Sequence, residues 1–169
     1  MTELKNTYTS REVAAMTGLT ARQLQWWDDK RLFASHIAPK KTARGGYTER
    51  RYTPIDLFEL SVLADLRRRG FSVHQLYLLR HALRTHFGVR LYEATGGGGR
   101  VHLLTDGRQI YLRTDRGDVY NVLDAPAQPL LVVGNEGLLK ELGTSLKTFR
   151  RKKPSGSEKS SRGRRRGAG

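Results

Sequence analysis

The most abundant ionisable groups in this 169-residue chain are cations. Lysine and arginine number 31 against 16 aspartates and glutamates, which gives a net charge of +15 at pH 7. Such an excess favours a polyanionic partner, either a nucleic acid or an anionic membrane surface. The chain has no cysteine, which excludes disulfides, thiolate metal sites and thiol redox switches. Phosphate binding is therefore the first chemistry to consider.

The positive charge is concentrated at the two ends of the chain. Residues 1–87 hold 15 Lys and Arg against 8 Asp and Glu, a net +7, whereas residues 88–149 hold 7 of each. Residues 150–169 hold 9 Lys and Arg against one Glu, a net +8, and no residue that could form a core. We expect this tail to be disordered and to bind phosphates without sequence preference, although a solubilising extension has the same composition.

Catalytic and metal-binding patterns are weak in this sequence. No Ser/His/Asp arrangement, carboxylate pair or nucleotide fingerprint falls on a convincing scaffold, so we expect no enzyme and no cofactor. His74 and His81 lie seven residues apart but have no Cys or carboxylate partner, which disfavours a metal site. The glycines at 96–99 lack the Lys-Ser/Thr of a phosphate loop and read as a linker. No apolar run is long enough to span a membrane, and we expect a cytoplasmic, nucleoid-associated protein without a membrane partner.

Two short helices are expected near the N-terminus. Thr9 or Ser10 can cap a helix that ends at Thr17, with Val13, Ala14 and Met16 on one side and Gly18 as its stop. Thr20 can cap a second helix, 21–30, which turns Leu24 and Trp27 inward. Two helices joined by a short turn with Gly form a helix-turn-helix.

A basic hairpin is predicted directly after this pair. Residues 36–41 read as a strand, 43–49 as a turn centred on two glycines and 50–52 as the returning strand. A hairpin in this place is typical of a wing.

Two longer helices follow the hairpin. Pro54 opens the third, for which the spacing predicts a buried stripe of Ile55, Phe58, Val62 and Leu66. Ser72 and Gln75 form a capping box for the fourth, which runs to about His86 and packs its apolar side inward. The side chains expected in that packing are Val73, Leu76, Tyr77 and Leu83.

The apolar period changes at Gly88. Strands are expected at 101–104, 109–113, 119–123 and 130–133, with Pro126 and Pro129 flanking the last turn and a helix at 136–148. The fold class is therefore α+β: a winged helix-turn-helix domain, a small β-rich domain with a C-terminal helix, and a disordered basic tail. The predicted boundaries are 1–87, 88–149 and 150–169.

Residues 8–80 resemble the MerR-type winged helix-turn-helix family. The resemblance rests on the run from Tyr8 to Thr20, the Gln-Leu-Gln-Trp-Trp-Asp of 23–28, the wing from Arg44 to Leu57, and the Leu-Arg-Arg-Arg-Gly-Phe-Ser-Val of 66–73. It implies DNA binding by the second helix and the wing. The family often has an arginine where this chain has Gln25, so Arg22, one turn earlier, is the candidate for the phosphate contact made there. The long dimerising helices common in the family are missing.

Twelve residues are therefore candidate DNA contacts. Arginine can read guanine and glutamine can read adenine from the start of a recognition helix, while Lys, Arg and Tyr in a glycine-rich wing can hold phosphates. Trp27 is expected in the core, and Trp26 can pack either on the DNA backbone or under the wing. The helical candidates are Thr20, Ala21, Arg22, Gln23, Gln25 and Trp26, and the wing candidates are Lys40, Lys41, Arg44, Tyr47, Arg50 and Arg51.

These patterns predict a sequence-specific regulator of transcription that binds double-stranded DNA as a homodimer. Its dimer contacts are assigned to the fourth helix and the β-rich domain, and RNA polymerase or another protein is left open as a further partner. Two alternatives remain: an architectural or recombination-accessory DNA-binding protein, and an antitoxin-like interaction module with autoregulatory DNA binding.

Overall fold

A computed structural model describes residues 3–41, 43, 45, 48–96, 99–131 and 136–152. The chain forms two compact units, residues 1–130 and 131–169. The first unit contains five helices and eight strands within its described residues, which confirms the α+β class. Its helices are α1 (Ser10–Thr17), α2 (Ala21–Asp29), α3 (Pro54–Arg68), α4 (Val73–Phe87) and α5 (Leu91–Thr95). Its strands are β1 (Tyr8–Thr9), β2 (Lys40–Lys41), β3 (Thr48–Glu49), β4 (Arg51–Tyr52), β5 (Val101–Thr105), β6 (Ile110–Thr114), β7 (Val119–Asn121) and β8 (Ala125–Leu130).

Capping boxes set the start of each of the first four helices. In each, a Ser or Thr side chain accepts from the N3 backbone N–H while the N3 side chain accepts from the cap N–H. This arrangement satisfies two of the N–H groups that a helix start leaves unpaired. The pairs are Thr9–Glu12, Thr20–Gln23, Thr53–Asp56 and Ser72–Gln75.

The first two helices form the predicted helix-turn-helix. α1 ends at Gly18, whose φ of 76° is a left-handed conformation that glycine adopts without steric cost. Val13 from α1 and Leu24 and Trp27 from α2 are buried. Met16, expected on the same side as Val13, is instead exposed because α1 buries only a narrow stripe.

The returning strand of the wing was assigned to the wrong residues. β2 pairs with β3, so that Lys40 lies opposite Glu49 and the hairpin closes at 48–49 instead of 50–52. β4 pairs antiparallel with β1, which places Tyr52 opposite Tyr8, both buried. Tyr52 lies in β4 and not in the wing because its buried cross-strand partner, Tyr8, is near the N-terminus. This second pairing joins the end of the wing to the start of α1.

The predicted buried stripe of α3 was also wrong in large part. Phe58 is 41% exposed, Ile55 is exposed and Val62 is only half-buried, whereas Leu66 is buried. The buried side lies roughly a third of a turn away around the helix axis. α3 contacts α1, α4 and α5, and this side carries the residues that face them. They are Asp56, Leu57, Glu59, Leu60, Leu63 and Ala64.

The fourth helix is close to its prediction. It runs to Phe87 and ends at Gly88 in a left-handed conformation, with Leu76, Leu79 and Leu83 buried. Tyr77, expected to pack inward, is 42% exposed because the apolar stripe of α4 is centred on these leucines.

Strands β5 to β8 form an antiparallel sheet in chain order. Asp106-Gly107 and the 115–117 turn join its first three strands, and Gly107 and Gly117 have the positive φ that such tight turns require. The last strand was misplaced: it covers 125–130 instead of starting at 130, and residues 132–133 lie outside the described part. Pro126 and Pro129 lie within this edge strand, where proline is tolerated because an outer N–H needs no partner.

The sheet and the helices share a hydrophobic core. Ile110, Leu112 and Val122 join the same buried cluster as the leucines of α3 and α4. The ring of Phe87 packs edge-on against Tyr120, with centroids 5.1 Å apart. The short helix α5, for which the sequence analysis had no prediction, contacts both α3 and β5. The domain boundary at 87–88 stays a prediction, and the core crosses it.

The second unit contributes α6 (Glu136–Lys152), where a helix was predicted at 136–148. Leu142 and Leu146 are exposed and lie four residues apart on it. Across the described ranges, no helix has the length and apolarity needed to cross a membrane. Residues 150–152, predicted as the start of the disordered tail, instead belong to α6, and the rest of the predicted tail lies outside the described residues.

Candidate nucleic-acid interface

The first two turns of α2 present polar side chains to solvent. Thr20 Oγ1 accepts from Gln23 N at 3.0 Å, and Gln23 Oε1 accepts from Thr20 N at 2.9 Å. The side-chain oxygens of both residues are therefore engaged in starting the helix, and the amide NH₂ of Gln23 is its remaining hydrogen-bonding group. All six helical candidates are exposed: Thr20, Ala21, Arg22, Gln23, Gln25 and Trp26.

Arg22 is the cation on this face. It forms no ion pair with a residue in the described part of the chain, where eight ion pairs are present. A guanidinium without a carboxylate partner keeps its fork of donors for a phosphate or a guanine edge. Gln25, one turn further on, is exposed and neutral.

The two adjacent tryptophans face in different directions. Trp27 is buried at 3% exposure, as predicted. Trp26 is 43% exposed, which leaves a large aromatic surface next to Gln25. An exposed indole has both a flat apolar face and one N–H donor.

The wing supplies two exposed lysines. Lys40 and Lys41 form β2 and make no ion pair with any residue that the structure describes. Arg44 and Tyr47, predicted to bind phosphates at the tip, lie outside the described residues.

The two arginines at the end of the wing are paired with carboxylates. Arg50 Nε donates to Asp28 Oδ2 at 2.8 Å, and Arg51 lies 2.9 Å from Glu49 Oε1. Asp28 is near the C-terminal end of α2, so the first pair joins the residue that follows the wing hairpin to α2. Half-exposed pairs of this kind contribute about 0–1 kcal/mol, so their value here is in positioning. Whether these arginines also contact DNA stays a prediction.

A buried carboxylate that the sequence analysis missed holds the segment between α2 and the wing. Asp56 is fully buried; its Oδ2 accepts from Thr53 N at 2.9 Å and from His36 N at 3.4 Å, and Oδ1 binds the ring of His36. It therefore fixes the start of α3 and the approach to β2 together. The spacing of Thr53 and Asp56 could have predicted the capping box. The burial of Asp56 and its contact with His36 depend on segments distant in the chain, so no local pattern predicted them.

A second carboxylate is held at the N-terminal end of α1. The Lys5 ammonium and then the Thr9 backbone N–H stabilise ionised Glu12 and lower its pKa to about 2. The same pair raises the pKa of Lys5. Glu12 therefore stays charged and paired with Lys5, so the Lys5 ammonium is not available for an external anion.

The arginines at the end of α3 are structural cations. Arg68 Nη1 donates to the Thr17 carbonyl at 3.1 Å, Arg69 pairs with Asp65, and Arg67 Nη1 donates to the Phe71 carbonyl at 2.7 Å. The first of these bonds joins the end of α3 to the end of α1. Each of the three arginines therefore has a partner within the fold.

No group of three metal-ligating side chains occurs among the described residues. His74 and His81 are both exposed, and the ring of His81 stacks on Tyr77.

Comparison with known proteins identifies a family match over the same region. Residues 8–82 match the family described as MerR HTH family regulatory protein. This match covers the helix-turn-helix, the wing, α3 and the first ten residues of α4, and it confirms the resemblance seen over residues 8–80. No curated protein matches the chain significantly.

Proposed function

Residues 8–82 are a helix-turn-helix domain of the MerR regulatory family, and from this premise we propose that the chain is a transcription regulator that binds specific double-stranded DNA sequences. The observation that carries the proposal is the exposed start of α2 with Arg22 unpaired among the described residues. In this arrangement α2 enters the major groove by its N-terminal end, where Arg22 and Gln25 reach base edges or phosphates.

The wing lies on the adjacent backbone in this proposal. Lys40 and Lys41 neutralise phosphates, and Arg44, Tyr47, Arg50 and Arg51 are further candidates whose contacts the sequence alone suggests. The pair Arg50–Asp28 supports a fixed distance between wing and helix, because it connects the end of one to the end of the other.

Two copies bind a two-fold related site, with dimer contacts through α4 and the sheet. Sedimentation of the full-length chain with and without its site tests this part. A monomer in both cases would remove it. RNA polymerase or another protein remains a candidate further partner, and the cytoplasmic nucleoid remains the proposed location.

Selection of bound fragments from random and genomic DNA, at near-physiological salt and with competitor DNA, tests the function. We expect an inverted repeat, because each subunit reads one half-site. Arg22→Ala should weaken binding to that site by about tenfold or more, since one specific arginine contact contributes about 1–3 kcal/mol. Arg116→Ala is the matched control, because it removes one exposed arginine from the turn between β6 and β7, outside the strands of the sheet, and should leave the affinity unchanged.

Recovery of fragments without a common motif would contradict sequence-specific regulation. The architectural alternative would then take its place, with binding that depends on salt and not on Arg22. A stoichiometric protein partner, purified together with the chain, would favour the antitoxin-like alternative.

A further inference from the structure

A cleft of about 640 Å³ lies between the exit of α2 and the outer side of α4. Its walls come from residues 28, 29, 31, 32 and 34–36 on one side and from the face of α4 that carries Tyr77, Arg80, His81 and Arg84 on the other. These four residues share a helix face because they are spaced by three, four and seven positions. The volume falls within the range of small-molecule sites, about 300–1,000 Å³.

Arginines from both walls reach this cleft. Arg31 comes from the turn after α2, and Arg80 and Arg84 come from successive turns of α4. Arg80 is held in place, since it donates to the Leu32 carbonyl and its guanidinium lies 4.9 Å from the centroid of the Phe33 ring. Burial lowers the pKa of Arg80, and an anion in the cleft would stabilise its charged form.

Arg31 occupies an unusual backbone conformation. Its φ of 57° makes it the one non-glycine residue with positive φ in the described ranges. Such a conformation is costly for a side chain other than glycine, asparagine or aspartate, and it recurs at binding sites. Here it places an arginine at the cleft instead of the glycine that would suit the turn.

The acidic lining does not cancel this charge. Asp28 is already paired with Arg50 at 2.8 Å, which leaves Asp29 as the remaining lining carboxylate. Three arginines against one unpaired carboxylate give the cleft a preference for anions.

An aromatic surface lies beside the arginines. The rings of Tyr77 and His81 are nearly parallel, 11° apart, with centroids separated by 6.1 Å. Both side chains are exposed at the cleft. A flat ring can stack on such a surface, and its contact adds to that of a neighbouring charge.

We infer that this cleft is a binding site for a small molecule in which a flat ring carries a phosphate or carboxylate. The oxyanion lies between Arg31, Arg80 and Arg84, and the ring lies on Tyr77 and His81. The site is distinct from the proposed DNA surface, because α2 has nine residues and its two ends are about 13 Å apart. Ligand binding here does not depend on DNA binding, but it requires that the proposed dimer contacts of α4 leave Tyr77, His81 and Arg84 uncovered.

Calorimetric titration of the full-length chain without DNA tests this site. Adenosine monophosphate and salicylate supply the phosphate and carboxylate forms, while inorganic phosphate and adenosine each supply half of the first. We expect saturable 1:1 binding of at least one of the two complete probes. The isolated halves of adenosine monophosphate should bind at least about tenfold more weakly than the whole, because ring and oxyanion contacts add within one site.

Two variants locate the binding. Arg84→Ala should weaken it by about tenfold, the effect expected for removal of one charge-assisted hydrogen bond, and Tyr77→Ala by a few-fold. Both side chains are exposed, so both variants should keep the melting temperature of the parent. Arg113→Ala changes the net charge equally but lies outside the cleft, and it should bind as the parent does.

Three results would overturn the inference. The first is no saturable binding of either complete probe at millimolar concentration. The second is equal weakening by Arg84→Ala and Arg113→Ala, which would indicate a general charge effect. The third is loss of binding in Arg22→Ala with none in Arg84→Ala, which would place the anion on the DNA surface.

Discussion

The helical segment and the sheet segment of this protein share a core but use their charges differently. Residues 1–87 carry a net +7, whereas residues 99–131 hold four cations and four carboxylates. In the helical segment the carboxylates are drawn into the fold: Asp56 and Glu59 are buried, and Asp28 is paired with the wing. In the sheet segment a carboxylate instead stabilises a turn: the Asp106 side chain accepts hydrogen bonds from the backbone N–H groups of Arg108 and Gln109.

This difference has a consequence for binding. Carboxylates of the helical segment that are buried or already paired are not available to Arg22, Lys40 and Lys41, which have no ion-pair partner among the described residues. The sheet exposes both signs and has no net charge to attract a polyanion. Net charge alone therefore understates how much the two segments differ.

The largest effect is expected where the segments meet, in the core. Leu112→Ala empties a fully buried position in β6 and should lower the free energy of unfolding by about 3 kcal/mol. Because the core is shared, the denaturation midpoint followed by tryptophan fluorescence should fall, although both tryptophans lie in α2. Leu104→Ala, at an exposed position of β5, should change the midpoint little. An unmoved tryptophan transition in Leu112→Ala would show that the sheet unfolds independently.

Removal of the cation that faces the buried carboxylates should have the next largest effect. Arg90 lies 3.2 Å from Glu59 and 3.9 Å from Asp56. Arg90→Met leaves both carboxylates without this partner and should cost about 2 kcal/mol, less than for a fully buried cation because Arg90 is 37% exposed. Urea denaturation measures the cost. The double variant with Glu59→Gln should recover part of it, and no recovery would contradict an electrostatic origin.

A smaller effect is expected on the salt dependence of DNA binding. The double variant Lys40→Ala/Lys41→Ala should flatten the slope of log K against log salt by about 1.8, or about 0.9 for each phosphate that is no longer neutralised. Arg108→Ala/Arg116→Ala removes two exposed charges from the sheet hairpins and should leave the slope unchanged. Equal slopes for the two variants would contradict the division between helical and sheet segments.

The smallest effect concerns the first helix. Glu12 should titrate near pH 2, since Lys5 and the Thr9 N–H stabilise its charged form. Its folded pKa lies below the ordinary 4.5, so its contribution to stability is full above pH 4.5 and is lost as the pH falls towards 2. Carbon-detected NMR titration of the side chain measures the pKa. Lys5→Ala should raise it, while the remaining Thr9 bond keeps it below 4.5, and an unchanged pKa would remove Lys5 as the cause.

Local signals in the sequence predicted much of this fold. The N-caps predicted at Thr9 and Thr20, the capping box at Ser72 and the glycine at 18 identify helix ends through contacts within four residues. The Asp and Gly residues at 106–107 and 115–117 likewise indicate the two turns of the sheet. In the candidate site, the exposed residues of α2 followed from the position of the cap and the inward placement of Trp27.

The predictions that failed depend on partners far away in the chain. Tyr52 was assigned to the wing because its true partner, Tyr8, lies 44 positions earlier. Ile55 and Phe58 have the spacing of a buried stripe, but α3 is apolar over a wide arc and its neighbours decide which part is covered.

The sequence by itself determined the family of residues 8–82, the helix ends and the uneven distribution of charge. Each of these depends on residue type, on near neighbours or on a contiguous pattern. Only the tertiary structure decided which side of α3 is buried, that Asp28 and Asp56 hold the wing and its approach, and that Arg31, Arg80 and Arg84 line one cleft. Such pairings arise when distant segments pack, and side chains that meet in this way leave no local mark in the chain.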